Sequence, residues 1–242
     1  MPRLDQELVR QGMADSRARA QALIAAGVVR LDGQTLTKPS RTVAEGSALD
    51  VTENPNPYVS RGGLKLAHGL RAFDLDPQGC HGLDLGASTG GFSEVLLAHG
   101  AVSVVSVDVG HGQLHARLKD DPRCRSLERQ DVRELSADMV GRPDFLVADL
   151  AFISLTKALP RAMELAAPGA AMVALVKPQF ELEPHMVGKG GIVRNAEYHA
   201  EAVASVRTFV EALGWAIIGV TDSPIEGGDG NREFLLAARK MG

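Results

Sequence analysis

Short apolar segments alternate with helical ones from residue 82 to residue 238, and this alternation restricts the fold more than any other feature. Such an order is typical of a doubly wound, mainly parallel sheet that binds ligands at the carboxyl ends of its strands. The predicted strands are 82–85, 102–107, 126–129, 145–148, 171–176, 215–220 and 233–238, and the clearest helices are 92–99, 155–166 and 199–213. The sequence therefore predicts an α/β fold with a seven-stranded sheet.

A glycine-rich loop joins the first predicted strand to the first of these helices. Its spacing is G-x-x-x-G-G, which excludes both the dinucleotide fingerprint G-x-G-x-x-G and a phosphate loop ending in G-K-[ST]. Glycines let a ligand approach the backbone, and the following helix offers unpaired N–H groups at its positive end. We expect a nucleotide-cofactor pocket, with a plain strand-to-helix turn as the alternative. The candidate residues are Asp84, Gly86, Ala87, Ser88, Thr89, Gly90, Gly91 and Phe92.

Acidic residues stand at the ends of the next two predicted strands. Asp108 closes the second strand, 22 residues after Gly86, where a carboxylate can accept hydrogen bonds from both hydroxyls of a nucleoside ribose. Asp131 and Val132 follow the third strand. At that position, a ligand contact and a role in forming the turn are equally good interpretations of the aspartate.

Two further strands end in residues of opposite charge. Asp149 follows the fourth strand, and Lys177 follows the fifth, with Pro178 fixing the turn. A lysine directly after an apolar strand has its amine at the edge of the sheet where ligands bind. The alternative is a salt bridge between Lys177 and Asp149 without a catalytic role.

The first 53 residues follow a different pattern, with two short helices and a compact β element. An apolar stripe predicts a first helix that ends at Gly12, and Ser16 is a suitable N-cap for a second helix through Ala26. The Asp32-Gly33 pair predicts a hairpin. We expect a small domain at residues 1–53, a proline-stiffened linker at 54–60 and the main domain at 61–242.

Composition restricts the partners and the compartment. The net charge of −4 argues against a uniformly basic nucleic-acid binder, so any polyanion contact needs a local patch. The apolar segments are far shorter than the ~20 residues that span a bilayer, and the charged N-terminus lacks the apolar core of a signal peptide. Two cysteines, Cys80 and Cys124, fit a reducing compartment. We expect a cytoplasmic protein without membrane contact and, since His111 and His115 lack a third ligand nearby in the sequence, without a metal.

The N-terminal segment resembles the small RNA-binding domain named after ribosomal protein S-four. The resemblance rests on the runs Arg3-Leu4-Asp5, Ser16-Arg17-Ala18-Arg19-Ala20, Gly27-Val28-Val29 and Asp32-Gly33. It implies that the second helix and the following strand meet structured RNA. The implied phosphate contacts are Arg3, Arg17, Arg19 and Lys38. Residues 1–60 hold seven Lys or Arg and seven Asp or Glu, so a solvated charged surface remains the alternative.

A second resemblance covers essentially the full chain and rests on five motifs in order. They are Ser60-Arg61-Gly62-Gly63-Leu64-Lys65-Leu66, Gly86-Ala87-Ser88-Thr89-Gly90-Gly91-Phe92, Asp108-Val109-Gly110, Asp149-Leu150-Ala151-Phe152-Ile153-Ser154 and Lys177-Pro178-Gln179-Phe180-Glu181. Together they resemble the TlyA family of ribosomal RNA ribose 2'-O-methyltransferases, whose catalytic domain is similar to FtsJ-type enzymes. The resemblance implies a Rossmann-like seven-stranded methyltransferase domain preceded by a small α+β RNA-binding domain. It also implies S-adenosylmethionine as cofactor and cytidine in ribosomal RNA or ribosomal subunits as substrate.

The same resemblance assigns a catalytic tetrad and an adenine contact. The tetrad is Lys65, Asp149, Lys177 and Glu233, and the adenine contact is Asp131 with Val132. A ribose hydroxyl is protonated at neutral pH, so its oxygen needs either removal of the proton or stabilisation of the developing charge. A neutral Lys177 would do the first and a charged one the second, and the sequence leaves this open.

Two other functions remain as alternatives at this point. The family carries an old haemolysin label, which suggests a membrane-active protein. A non-catalytic RNA-binding ribosome assembly factor is the second alternative, although the complete tetrad argues against lost activity.

Overall fold

The computed structural model describes residues 1–14, 16–25, 27–51 and 56–242, and the chain divides into two compact units, Met1–Pro57 and Tyr58–Gly242. The division after Pro57 falls inside the predicted linker 54–60, of which Asn54 and Pro55 lie outside the described residues. The domain limits given from the sequence stay predictions.

The first unit contains two helices and a small antiparallel sheet in its described part. The sheet has the strand order β2-β1-β3, with β1 paired to both neighbours. Leu4, Leu8, Ile24 and Val29 are fully buried and hold the unit together by removing apolar surface from water. The elements are α1 (Leu4–Arg10), α2 (Arg17–Ala25), β1 (Val29–Leu31), β2 (Gln34–Thr35) and β3 (Leu49–Val51).

The second helix begins where the sequence predicts. The Ser16 hydroxyl accepts a hydrogen bond from the backbone N–H of Arg19 at 3.2 Å, which satisfies one of the unpaired donors of the first turn. The predicted end at Ala26 lies outside the described residues, and the described helix extends to Ala25.

The second unit is built on one seven-stranded sheet with the order β6-β5-β4-β7-β8-β10-β9. The first five strands in this order are parallel, and β10 lies antiparallel between β8 and β9. The α/β prediction with seven mainly parallel strands is therefore confirmed. The strands are β4 (His81–Leu85), β5 (Ser103–Asp108), β6 (Cys124–Glu128), β7 (Phe145–Ala148), β8 (Ala171–Val176), β9 (Trp215–Asp222) and β10 (Phe234–Lys240).

Helices cover both faces of this sheet. Every residue of β7 and β8 is buried, as expected for central parallel strands packed on both sides. Two apolar clusters, one on each face, form the core. The helices are α3 (Gly62–Ala72), α4 (Gly91–Ala98), α5 (Ala116–Lys119), α6 (Ala137–Val140), α7 (Leu155–Ala158), α8 (Pro160–Leu165), α9 (Pro178–Glu181) and α10 (Ala196–Ala212).

Two helices differ from the prediction for local reasons. The helix expected at 155–166 is two helices, because Pro160 has no N–H to continue the first one and instead occupies the first turn of the second. The helix expected from His199 begins at Ala196, since the Asn195 side chain accepts a hydrogen bond from Glu197 N and caps it. Within the described residues, no helix is long and apolar enough to cross a membrane.

Candidate active site

A cavity of about 350 Å³ opens at the carboxyl ends of β4, β7 and β8 in the second unit, which is the ligand edge of a doubly wound sheet. Its volume lies in the range of small-molecule and cofactor sites. The wall consists of Ser60, Arg61, Gly62, Lys65, Asp84, Gly86, Ala87, Ser88, Thr89, Gly91, Phe92, Asp149, Ala151 and Lys177. Most of the predicted cofactor loop therefore lies on this wall.

The glycines of the loop allow a close approach of neighbouring segments that side chains would prevent. A Cβ on Gly91 would lie 2.1 Å from Ser60 Oγ, and one on Gly86 would lie 2.7 Å from the carbonyl oxygen of Asp149. Gly86 also has a φ of 82°, which favours glycine. Gly90 has a φ of 94° and packs against Leu118, away from the wall. The loop thus packs tightly on its neighbours, and Gly86 and Gly91 on the cavity wall form a backbone-lined cradle.

Asp84 supplies a buried carboxylate beside this cradle. Its Oδ2 accepts hydrogen bonds from Ser93 N at 2.9 Å and from Ser93 Oγ at 2.7 Å, whereas Oδ1 has no partner in the described part of the chain. Burial raises the pKa of Asp84 to about 7, although the Ser93 hydrogen bonds oppose this shift. An unpartnered buried oxygen suits a ligand that carries a hydrogen-bond donor.

Asp108 lies at the end of β5, next to a second, smaller cavity. Its Oδ2 accepts a hydrogen bond from Ser88 N at 2.8 Å, and its Oδ1 accepts one from Gly110 N at 2.7 Å. Each oxygen keeps further acceptor capacity, so the two amides orient the carboxylate without exhausting it. This arrangement fits the predicted ribose contact.

Asp131 and Val132 lie on neither of these two cavity walls. The Asp131 side chain caps the short helical turn Val132–Glu134 by accepting from Arg133 N at 2.9 Å, and it forms an ion pair with the Arg133 guanidinium at 2.6 Å. Hydrogen bonds from Arg133 lower the pKa of Asp131. Asp131 therefore makes the turn contacts that the alternative predicts, and the adenine contact stays a prediction.

The four residues of the predicted tetrad form two ion pairs. Lys177 Nζ lies 2.6 Å from Asp149 Oδ1, and both residues are on the cavity wall. Lys65, on α3, pairs with Glu233, and both side chains are buried. Lys65 reaches the wall, whereas Glu233 does not.

Strand register explains part of this convergence. β10 pairs with β8 so that Phe234 stands opposite Val176, which puts Glu233 next to the end of the strand that precedes Lys177. The site can therefore present two ammonium groups, each paired with a carboxylate, to a ligand in the cavity.

Phe152 was not among the site residues predicted from the sequence. Its side chain is 91% exposed beside the wall residue Ala151, and its φ of 64° is unusual for an aromatic residue. The ring packs on Phe180 with a centroid distance of 5.3 Å. The sequence feature that points to Phe152 is an aromatic residue in the loop directly after a strand. Ser60 and Arg61 also lie on the wall, although the sequence indicated them only as members of a motif and not as site residues.

The predicted RNA contacts belong to the first unit, where two of them share one buried carboxylate. Arg3 and Arg17 each lie 3.1 Å from an oxygen of Asp5, which has no exposed surface. Arg19 donates a hydrogen bond to the carbonyl oxygen of Asn56, and Lys38 is exposed. Arg3 and Arg17 are therefore half-exposed and held in place by Asp5.

The two histidines considered for a metal have other roles. His111 Nδ1 lies 2.8 Å from Glu128 Oε2, and His115 Nδ1 accepts a hydrogen bond from Arg117 N at 3.2 Å. Within the described ranges, no group of three or more His, Cys, Asp or Glu residues is arranged to hold a metal ion.

Comparison with known proteins connects both units to families. The FtsJ-like methyltransferase model matches residues 58–240, and the S4 domain model matches residues 2–49. The 16S/23S rRNA (cytidine-2'-O)-methyltransferase TlyA of Mycobacterium tuberculosis is 47% identical over 239 residues, which cover 98% of this chain and 89% of the relative. Hemolysin A of Brachyspira hyodysenteriae is 36% identical over 235 residues, or 96% of this chain and 98% of the relative.

A solved structure agrees with these matches. A protein from Streptococcus thermophilus, named as a hemolysin, has a TM-score of 0.79 and 38% identity, covering 99% of this chain and 88% of that one. Both resemblances found in the sequence are confirmed. The chain therefore belongs to the TlyA family of FtsJ-like methyltransferases, with an S4 domain at its N-terminus.

Proposed function

We propose that this protein transfers a methyl group from S-adenosylmethionine to a ribose 2'-oxygen of ribosomal RNA, at cytidine. The observation that carries the proposal is the ion pair of Lys177 with Asp149 on the wall of the cavity that the glycine cradle also lines. The names of TlyA relatives at up to 47% identity support ribosomal RNA and cytidine as the substrate. A substrate of this kind implies a cytoplasmic location.

The cofactor would be held by the cradle and by two carboxylates. Its methionine part would lie against the backbone of Gly86 and Gly91 on the cavity wall, and Asp84 Oδ1 would accept a hydrogen bond from its amino group. Asp108 would accept from the ribose hydroxyls, with its orientation kept by Ser88 N and Gly110 N. When bound, S-adenosylmethionine supplies a methyl group that is already activated on a sulfonium.

Lys177 and Asp149 would manage the proton of the attacking hydroxyl. As the new O–C bond forms, Lys177 passes one N–H proton to Asp149 and takes the hydroxyl proton, so the pair ends with one additional proton. Lys65, whose charge is balanced by Glu233, would keep a hydrogen-bond donor beside the attacking oxygen. The remaining contribution is alignment of the oxygen with the methyl carbon.

The RNA would contact both units. In the S4 domain, Arg3, Arg17, Arg19 and Lys38 would bind phosphates, which fixes the position of the RNA and carries little sequence information. In the methyltransferase domain, the exposed ring of Phe152 suits stacking against an unpaired base beside the cavity. A nucleotide removed from its stack would then bring its ribose to Lys177.

The direct test is incubation of the purified protein with ribosomal subunits and methyl-tritiated S-adenosylmethionine. Labelled RNA is expected with the wild-type protein and with the exposed-surface control Lys157→Ala, whereas Lys177→Ala should lose the label and keep its circular-dichroism spectrum and cofactor affinity. Label on protein, or on RNA in equal amounts with Lys177→Ala, would refute the assignment.

The two alternatives from the sequence have separate tests. Leakage of liposomes by the pure protein, unaffected by Lys177→Ala, would favour a membrane-active protein. Normal ribosome assembly in a Lys177→Ala strain, together with failure in a strain lacking the protein, would favour a non-catalytic assembly factor.

A further inference from the structure

Two chain segments form one side of the candidate active site. The first runs from Asp149 to Leu155 after β7, and the second is the stretch 177–181 after β8. They are joined at the cavity by the ion pair of Asp149 with Lys177 and, further out, by the packing of Phe152 on Phe180. A third connection, through Glu181, has no part in the proton transfer described above.

Glu181 bridges the two segments with both carboxylate oxygens. Its Oε2 accepts a hydrogen bond from Ser154 Oγ at 2.6 Å, and its Oε1 accepts one from Leu155 N at 2.9 Å. Ser154 itself caps α7 by accepting from Thr156 N at 3.1 Å. Burial raises the pKa of Glu181, while the bonds from Leu155 and Ser154 oppose the rise. The carboxylate is thus a partly buried acceptor with one hydrogen bond on each oxygen.

The loop that Glu181 holds has few backbone restraints, although Leu150 and Ile153 pack against the apolar core. Its first residue is attached to the sheet, because Asp149 N donates to the carbonyl oxygen of Leu85 at 3.0 Å. From Leu150 to Ile153, the described part of the chain has no backbone–backbone hydrogen bond. Within this stretch Phe152 has a left-handed φ of 64°, a conformation that persists only when the surroundings enforce it. The bridge to Glu181 is the first hydrogen-bonded anchor after this stretch.

We propose that Glu181 is a positioning residue that fixes the loop 150–154 against the Lys177 segment. This inference rests on the proposed function. Without the bridge, the far end of the loop is free to shift, so Phe152 and the Lys177 segment lose their fixed positions relative to each other, while Asp149 stays attached to the sheet. Small displacements of this kind reduce a rate by 10- to 100-fold in order of magnitude when alignment dominates catalysis.

The experiment compares Glu181→Ala with Glu181→Gln in the full-length protein. Glutamine keeps the bridge, since its Oε1 accepts from Leu155 N and its amide group donates to Ser154 Oγ. We expect Glu181→Ala to lower kcat for ribosomal RNA methylation by about 10-fold or more with an unchanged dissociation constant for S-adenosylmethionine. Glu181→Gln is expected to stay within about threefold of wild type, because geometry rather than charge is what the bridge supplies. The matched control is Glu183→Ala, an exposed carboxylate two residues later.

Ser154→Ala gives a second measurement if Glu181→Ala fails to fold. It removes one of the two bridge bonds, so we expect a smaller loss of kcat, and the double variant should be no slower than Glu181→Ala. Equal losses of kcat in Glu181→Gln and Glu181→Ala would mean that the charge of Glu181 matters and not the geometry of the bridge. An unchanged kcat in Glu181→Ala would mean that Glu181 has no positioning role. A wild-type protein that methylates no ribosomal RNA would instead refute the proposed function.

Discussion

Lys65 and Glu233 form a buried ion pair although 168 residues separate them in the sequence. The lysine lies in the first helix of the methyltransferase domain, and the glutamate directly precedes β10, near the end of the chain. Their side chains are 9% and 3% exposed. The pair joins the start of the domain to its antiparallel strand, with Lys65 but not Glu233 on the cavity wall.

Removal of one charge from this pair should destabilise the domain. Glu233→Gln leaves the Lys65 ammonium buried without its counterion, which typically costs about 3–5 kcal/mol. Urea unfolding should show this loss, while Glu226→Gln, an exposed neighbour, should have no effect. Replacement of both partners by Lys65→Met with Glu233→Leu should recover much of the stability, since no charge then remains buried. Equal stability of Glu233→Gln and wild type would contradict the pairing.

Gly91 should be intolerant of a methyl group. In Gly91→Ala the new Cβ would lie 2.1 Å from Ser60 Oγ and 2.9 Å from the backbone nitrogen of Gly63, so the cavity wall must move. Overpacking of this kind costs roughly 1–3 kcal/mol, and we expect S-adenosylmethionine to bind about tenfold more weakly in calorimetric titration. A second substitution, Ser60→Gly, removes the obstructing oxygen and should restore part of the affinity. Full affinity in Gly91→Ala alone would mean that the cradle does not contact the cofactor.

Asp84 predicts a specific pH dependence of stability. Burial raises its folded-state pKa to about 7, above the unfolded value, so the folded protein binds this proton more tightly. The resulting stabilisation is complete below the unfolded pKa of about 4 and is lost as the pH rises to about 7. The measurement is the free energy of unfolding of wild type minus that of Asp84→Asn without cofactor, between pH 4 and 8. The difference should fall as the pH rises; a flat difference would place the pKa of Asp84 in its ordinary range.

Phe152 should affect RNA methylation and leave cofactor binding unchanged. Stacking of a base on an aromatic ring contributes about 1–3 kcal/mol, so Phe152→Ala should lower kcat/KM for RNA by roughly 10- to 100-fold. Phe152→Tyr keeps a stacking face and should retain most activity. Val102→Ala, at another exposed apolar side chain, is the control. An unchanged kcat/KM in Phe152→Ala would show that this ring does not contact the substrate.

The sequence predicted the sheet well because the central strands leave few alternatives. The segments at 145–148 and 171–176 are short and wholly apolar, and the structure has them as strands with the same limits. The helix at 155–166 was less well predicted, since the apolar periodicity continues across the break at Pro160.

The site could be predicted only where its geometry is local. The glycine loop and Asp108 follow strand ends, and topology alone brings them to one edge of the sheet. The Glu181 bridge to Ser154 depends on side-chain contacts between distant segments, which no spacing in the sequence reveals. The turn contact of Asp131 is local instead, because its partner Arg133 lies only two residues away.

The most direct measurement is the position of the methyl group on the product RNA. A 2'-O-methyl group blocks attack of the 2'-oxygen on the next phosphate, so alkaline hydrolysis leaves that linkage intact. Ribosomal RNA labelled by the wild-type protein should therefore release its tritium in an alkali-stable dinucleotide whose 5' residue is 2'-O-methylcytidine, and Lys177→Ala should give none. Recovery of the tritium in mononucleotides methylated on the base would contradict ribose methylation.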